Sequence, residues 1–362
     1  MSDYYNIPEI SCNELLNVLP TLMELGLPAF LSGSVGIGKS DTINQFAEMM
    51  GCKVVTRMLS QMQACDFMIP FVHNGETKWA LADFLANLPD EKCILFLDEL
   101  NTAPLDVQVV SYQLLLSHSI GGFDLPKETY VVAAGNKITD NALGGSLNTA
   151  LSDRLVHFNV VSKPDAWINW AMENNVHPWV IAFIKTKPQY LASDLTKDVL
   201  VHTSPRSWFR VSQVLKATTN MEALELIVSG IIGTELTGIF SSTLKQLDNL
   251  HSVEDYLKAS DDKLRGMVPG TITSFYGLIF SFASYAKDSK TITKALITLV
   301  KLLDFSKNKG FPKMELKIVS IQVLRKNMES YKCTTEVVKN ADFAKYIIPV
   351  INTAPSLSDL FK

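Results

Sequence analysis

Eight consecutive residues have the types and spacing needed to bind phosphate groups. They fit the pattern G-x-x-x-x-G-K-[S/T], in which glycines permit a tight loop whose backbone N–H groups surround phosphates. Lys39 would reach the β- and γ-phosphates, and Ser40 would ligate Mg²⁺. A chance glycine-rich turn is the alternative, but a strand is predicted before the segment and a helix after it, as a phosphate loop requires. The predicted nucleotide-binding residues are Gly33, Ser34, Val35, Gly36, Ile37, Gly38, Lys39 and Ser40.

Two acidic residues follow an apolar run further along the chain. The run Cys93–Leu97 is typical of a buried strand, and Asp98 and Glu99 come directly after it. A carboxylate at the end of a neighbouring strand can hold Mg²⁺ through water, which is the role predicted for Asp98. A second carboxylate can polarise an attacking water, which is the role predicted for Glu99. Acid pairs are common, so the prediction depends on the apolar run and on the phosphate loop.

Two further polar residues stand at the ends of predicted strands. Asn136 follows the apolar run Val131–Gly135 and could contact a γ-phosphate or the attacking water. An ordinary turn asparagine after glycine is the alternative. Arg154 precedes the last predicted strand, and taken alone it fits a solvated surface charge or a partner of Asp153.

The elements that would position these residues alternate between strands and helices as far as about Val160. Short runs rich in Val, Ile, Leu and Phe predict parallel strands buried on both faces, with helices such as 40–50 and 106–117 between them. The predicted strands are Ala29–Ser32, Lys53–Arg57, Cys93–Leu97, Thr129–Ala134 and Leu155–Val160.

Beyond residue 162 the strand-like runs largely disappear. The remainder predicts successive helices with breaks at Pro205, Gly270 and 310–312, and the clearest helical stretches are 221–239, 291–303 and 314–328. We therefore predict an α/β nucleotide-binding domain over 1–162 and an all-α region over 163–362. The three tryptophans Trp167, Trp170 and Trp179 fall in this helical region, where packing is the more common role.

Composition excludes several classes of protein. The 362 residues are 47% hydrophobic and 19% charged, so the chain is globular rather than disordered. Five cysteines without a C-x-x-C pair argue against a disulfide framework or a zinc site and fit a reducing compartment. The six histidines form no ligand motif. The start of the chain lacks a signal peptide, and Ala223–Ile239 is interrupted by two glutamates, so no membrane span is expected.

Together, the phosphate loop, Asp98-Glu99, Asn136, Arg154 and Pro205-Arg206 resemble an AAA+ ATPase, and more narrowly the MoxR family of the helix-2-insert clade. The resemblance extends over about residues 20–210. The helical remainder is similar to the tails of bacterial and phage members that are often encoded beside a von Willebrand A-type partner. The resemblance thus implies a P-loop NTPase core with an all-α lid, in the cytoplasm of a bacterium or of a phage-infected bacterial cell.

The resemblance also implies a role for each matching residue. Lys39 and Ser40 correspond to Walker A, Asp98 and Glu99 to Walker B, and Asn136 to sensor 1. Arg154 would be the arginine finger that completes the site of the neighbouring subunit, which implies a ring, expected to be a hexamer. Arg206 would be sensor 2, acting within its own subunit or across the interface. ATP and Mg²⁺ are the implied cofactors.

One segment departs from the family pattern. Where members usually have an Asp-Leu-x-Gly turn, this chain has 66–71, Asp-Phe-Met-Ile-Pro-Phe, without the glycine. The following residues, 72–79, predict a hairpin with an Asn-Gly turn and resemble the helix-2 insert, placed near 66–82. Such a hairpin could contact a substrate or a partner, or it could be purely structural, with Trp79 in the core.

Three classes of function remain after these observations. The first is an ATP-driven machine that remodels or activates a protein partner, as the MoxR resemblance suggests. The second is a nucleic-acid motor, disfavoured by the net charge of −4 and by the lack of Lys/Arg clusters. The third is a small-molecule kinase, disfavoured because the acid pair, Asn136 and Arg154 together describe a hydrolase ring.

Overall fold

The computed structural model of the chain describes residues 7–137, 152–193, 200–308 and 310–354. Contacts between residues divide these into two units. The first unit runs as far as Ala166 and also includes Leu200 and Ser204–Arg206. The remaining described residues, from Trp167 onward, form the second unit.

Six parallel strands form the sheet of the first unit, in the order β1–β10–β2–β9–β6–β3. All five predicted strands are present, within one or two residues of their expected ends. A sixth, the two-residue β1, pairs with β10 at the edge of the sheet and was not predicted. The strands of this sheet are β1 Glu9–Ile10, β2 Ala29–Ser32, β3 Lys53–Met58, β6 Cys93–Asp98, β9 Thr129–Gly135 and β10 Val156–Val160.

The central strands are mostly apolar because helices cover both faces of the sheet. In β6, Ile94 and Phe96 pack into the core formed with helices α1 and α2, whereas Leu95 and Leu97 pack into the core that includes α4. The predicted parallel sheet flanked by helices is thus confirmed. The helices of this unit are α1 Cys12–Leu25, α2 Lys39–Met50, α3 Asp83–Ala86, α4 Leu105–Ser117 and the start of α5 Pro164–Glu173.

Two antiparallel hairpins project from the first unit. The larger joins β4 (Met68–His73) to β5 (Glu76–Leu81) through Asn74 and Gly75, which both have positive φ. This is the predicted hairpin, and its turn has the twist that an Asn-Gly pair favours. The turn before it forms without glycine, because residues 64–66 adopt a single 3₁₀ turn and Phe67 has φ −93°. The smaller hairpin pairs β7 (Ser119–Ile120) with β8 (Phe123–Asp124).

The described part of the second unit is helical, as predicted. The stretch 221–239 is not one helix, however, because the chain turns at Gly233, where φ is 84°. Apolar residues continue on both sides of this turn, so the apolar pattern alone hid it. Besides the rest of α5, the helices are α6 Pro178–Thr186, α7 Pro205–Ala217, α8 Met221–Ile232, α9 Thr234–Leu247, α10 Val253–Lys258, α11 Asp261–Gly266, α12 Ile272–Tyr285, α13 Ser289–Phe305, α14 Lys313–Ser330, α15 Thr334–Val338, α16 Ala341–Tyr346 and α17 Ile348–Thr353.

Across the described residues, none of these helices combines the length and the apolar character that crossing a bilayer would require.

The buried sheet makes one stability prediction. Leu95→Ala should lower the free energy of unfolding of the first unit by about 2–5 kcal/mol, because it removes a fully buried side chain and leaves a cavity. Val109→Ala removes an exposed side chain from α4 and should change it by no more than about 0.5 kcal/mol. Urea-dependent hydrogen exchange, measured on peptides from the first unit, separates the two. Equal effects would contradict the described sheet.

Candidate nucleotide-binding site

The six parallel strands of the sheet end at the same edge, and the candidate site is built on that edge beside β2, β9, β6 and β3. Parallel pairing places Ser32 of β2 opposite Gly135 of β9, and Met58 of β3 opposite Asp98 of β6. The residues that follow these strands therefore come together. Ligands of open α/β sheets bind outside the carboxyl ends of the strands, so this is where a nucleotide is expected.

The predicted phosphate loop connects β2 to helix α2. Gly36 and Gly38 have φ of 76° and 108°, values that residues with a side chain rarely adopt. Lys39 begins α2 and is buried, and its Nζ donates to the carbonyl oxygens of Gly33 (2.6 Å) and Ser34 (3.2 Å). The Lys39 ammonium group therefore lies against the first residues of the loop, and the amino terminus of α2 adds positive partial charge there.

Ser40 and Asp98 meet directly. The Ser40 hydroxyl donates to Asp98 Oδ2 over 2.8 Å, and Asp98 Oδ1 accepts the backbone N–H of Glu99 over 2.9 Å. A hydroxyl and a carboxylate are the oxygen ligands that Mg²⁺ prefers when nucleotide phosphates supply the others. This pair therefore fits Mg²⁺. No cluster of three or more His, Cys, Asp or Glu side chains forms a metal site within the described ranges.

Glu99 occupies an unusual backbone conformation at the end of β6. Its φ of 61° is left-handed, which costs a non-glycine residue about 1–3 kcal/mol. The Ser60 hydroxyl, from the turn after β3, donates to Glu99 Oε2. Ser60 was not identified from the sequence. Its position shortly after a strand at this edge is the only signal that could have indicated it.

Asn136 directly follows β9 and is half-buried at the same edge. Both its backbone N–H and its carbonyl oxygen bond to the side chain of Asn101, in the turn after Glu99. No role was predicted for Asn101 from the sequence. Lys39, Ser40, Asp98, Glu99 and Asn136 are thus brought to one edge of the sheet.

The two predicted arginines are placed differently from this group. Arg206 is exposed, and its backbone N–H donates to the carbonyl oxygen of Gly36 over 3.2 Å. Arg154 is exposed and precedes β10 by two residues, so it lies at the opposite, amino-terminal edge of the sheet. A five-residue strand is about 16 Å long. Within one chain, Arg154 is therefore not brought to the phosphate loop.

One half-buried thiol also contacts the phosphate loop. Cys12 Sγ donates to the carbonyl oxygen of Ile37 over 3.6 Å. Burial is the main cause that raises the pKa of this thiol above its usual value. The thiol is therefore protonated near neutral pH and adds no negative charge beside the phosphate site.

Comparisons with known proteins give one match to a family model and several structural neighbours of low similarity. Residues 28–155 match the family model described as the AAA domain of the dynein-related subfamily. RuvB from Thermotoga maritima is 15% identical, with a TM-score of 0.37 over 71% of this chain and 74% of RuvB. A candidate ATPase from Cytophaga hutchinsonii is 14% identical, with a TM-score of 0.32 over 86% of this chain and 81% of that one.

No curated protein matches the chain in a sequence comparison. Over residues 28–155 the chain matches the AAA domain of the dynein-related subfamily, and its parallel sheet, phosphate loop and helical remainder have the P-loop NTPase architecture predicted from the sequence.

Proposed function

We propose that the chain is an ATP-hydrolysing AAA+ ring ATPase of the MoxR type that remodels or activates a protein partner. The observation that carries the proposal is the convergence of Lys39, Ser40, Asp98, Glu99 and Asn136 at one edge of the sheet. These side chains supply a cation for phosphates, oxygen ligands for a hard cation, a carboxylate and an amide.

Each side chain has a step in the proposed hydrolysis. The loop N–H groups and Lys39 hold the β- and γ-phosphates, and Ser40 and Asp98 would hold Mg²⁺, which neutralises phosphate charge when bound. The Glu99 carboxylate accepts a proton from the water that attacks the γ-phosphorus, while the bond to the β–γ bridging oxygen breaks. Asn136 orients that water or the γ-phosphate. Glu99 is thus the proposed general base.

The position of Arg154 supports a ring. An arginine at the developing γ-phosphate charge accelerates hydrolysis by about 10³ to 10⁵ in analogous systems. Arg154 lies at the far edge of its own sheet, so we propose that it completes the site of the neighbouring subunit, in a ring expected to contain six chains. Arg206 is proposed as sensor 2, since its backbone contacts the loop at Gly36.

The β4–β5 hairpin supports a protein partner. Four large apolar side chains are exposed on it: Ile69 (59%), Phe71 (44%), Val72 (75%) and Trp79 (48%). Trp79 is therefore not in the core, the alternative considered from the sequence. Exposed apolar patches mark protein-contacting surfaces, whereas a nucleic-acid surface is dominated by Lys and Arg. The hairpin strands contain one lysine, Lys78, opposite Phe71.

Measuring ATP turnover with different added partners tests which class of partner the chain acts on. We expect ATP turnover to rise at least severalfold with a von Willebrand A-type protein encoded beside this chain, and to stay unchanged with single- or double-stranded DNA. Replacing Phe71 and Val72 by serine should remove the stimulation and keep basal turnover, since neither residue contacts the phosphate loop. Stimulation by DNA, lost at higher salt, would favour a nucleic-acid motor instead.

The role of Glu99 is tested by separating binding from hydrolysis. Glu99→Gln should bind ATP like wild type but turn it over at least about 100-fold more slowly, because an amide cannot accept the proton. Lys39→Ala should lose binding itself, because the cation at the phosphates is gone. Glu128→Gln makes the same change at the opposite edge of the sheet and serves as the control. Wild-type turnover by Glu99→Gln would exclude Glu99 as the base.

The role of Arg154 is tested by mixing variants. Arg154→Ala should bind ATP yet lose hydrolysis by about 10³ or more, and wild-type specific activity should rise with protein concentration. Mixing Arg154→Ala with Glu99→Gln should restore part of the activity, because some interfaces then pair an intact Glu99 with an intact Arg154. If mixed rings form without recovery, Arg154 is not the finger.

A further inference from the structure

Asn101 is a buried amide next to the proposed catalytic residues, and no role has yet been given to it. It is 3% exposed and lies in the single 3₁₀ turn Leu100–Thr102, two residues after Glu99. Its Nδ2 donates to the carbonyl oxygen of Asn136 over 2.8 Å, and its Oδ1 accepts the backbone N–H of Asn136 over 3.0 Å. One side chain thus pairs both backbone polar groups of Asn136.

The residue before Asn136 leaves room for this amide. A Cβ atom on Gly135 would lie 2.4 Å from Asn101 Oδ1 and 2.7 Å from Cζ of Phe30, which is too close for any side chain. Gly135 ends β9 in an extended conformation that other residues also adopt, so its requirement here is space. The fit of Asn101 against Gly135 therefore fixes where the chain leaves β9.

The turn Leu100–Thr102 also holds the backbone of Glu99 in place. The backbone N–H and the side-chain hydroxyl of Thr102 both donate to the carbonyl oxygen of Glu99, over 3.2 and 3.0 Å. Glu99 and Asn101 therefore belong to one hydrogen-bonded turn. Because the Asn101 amide connects that turn to Asn136, a displacement of Asn136 relative to Glu99 strains these hydrogen bonds.

We infer that Asn101 is a positioning residue for the proposed hydrolysis: it holds Asn136 at a fixed place relative to Glu99, so that the amide and the carboxylate act on the same water and γ-phosphate. This inference rests on the proposed function. Asn101 acts through Asn136 and needs no contact with the nucleotide. Misplacing a catalytic group by about 1 Å can cost about 100-fold in rate. The phosphate loop is left unchanged by such a misplacement.

The inference predicts a separation of kcat from binding. Asn101→Asp keeps the side-chain shape but replaces the Nδ2 donor with an oxygen that faces the Asn136 carbonyl oxygen. We expect kcat for ATP to fall at least tenfold, while the Kd and KM for ATP stay within about threefold of wild type. Asn327→Asp is the matched control, because it makes the same change at an amide of the second unit that donates to the carbonyl oxygens of Ala283 (2.6 Å) and Ala286 (2.7 Å). Its kcat should stay within about twofold.

A double-mutant cycle tests whether Asn101 acts through Asn136. In an Asn136→Ala background, Asn101→Asp should lower kcat by less than about threefold, because the group that it positions is already gone. A loss equal to the product of the two single effects would overturn the inference. So would an unchanged kcat in Asn101→Asp, or an equal loss in Asn327→Asp.

Gly135→Ala provides a second route, because the added methyl would overlap Asn101 Oδ1 as well as Phe30 Cζ and so displaces the Asn101 side chain without replacing it. It should give the same loss of kcat with retained ATP binding. If neither Asn101→Asp nor Gly135→Ala folds, Asn101 is required for folding rather than for positioning, and the inference is wrong. Wild-type protein without ATP turnover would refute the proposed function as well, whereas active wild type with fully active variants refutes this inference alone.

Discussion

The hydrogen-bonded register between the parallel strands β2, β9 and β6 is the constraint on which the candidate site depends. It sets Ser32 opposite Gly135, and Leu97 opposite Ala133. The first residues after each strand are therefore neighbours, although they are far apart in the sequence. A one-residue slip between β9 and β6 would move Asn136 away from Asn101 and turn every side chain of the slipped strand to the other face. Burial of both faces makes that slip unfavourable.

Because the strands fix where the chain leaves the sheet, the proposed catalytic residues can lie in the short turns that follow. Asp98 is the last residue of β6, and its two carboxylate oxygens are held by Ser40 and by the N–H of Glu99. Glu99 takes a left-handed backbone conformation, which glycine and asparagine adopt more readily than glutamate does. The surrounding hydrogen bonds from Ser60 and Thr102 must offset that strain. Strain maintained in this way is common at functional sites.

Much of this arrangement is readable from the sequence. Apolar runs gave the five longer strands, because strands buried on both faces need continuous Val, Ile, Leu and Phe. The glycine and lysine pattern gave the phosphate loop, because its backbone geometry excludes most other residues. These signals are local, so a single sequence contains them.

What could not be predicted depends on contacts between distant residues. Ser60 and Asn101 are ordinary polar residues in short turns, and their partners lie 39 and 35 positions away. Strand β1 has only two residues and is stabilised by pairing with β10, so it lacks a pattern of its own. The turn at Gly233 is hidden because the helices on both sides share the same apolar character.

The exposed hairpin has a spectroscopic consequence. The chain contains five tryptophans, and Trp79 on β5 is the one in the first unit, because Trp167, Trp170, Trp179 and Trp208 all belong to the second. Trp167 and Trp208 are buried, and Trp170 and Trp179 pack against the helical core, whereas about half of the Trp79 side chain faces solvent. A water-soluble quencher such as iodide therefore reaches the Trp79 indole preferentially. Trp79 therefore acts as an intrinsic fluorescent probe of the hairpin. The fluorescence of the unlabelled protein is sensitive to any molecule that covers the Trp79 side chain.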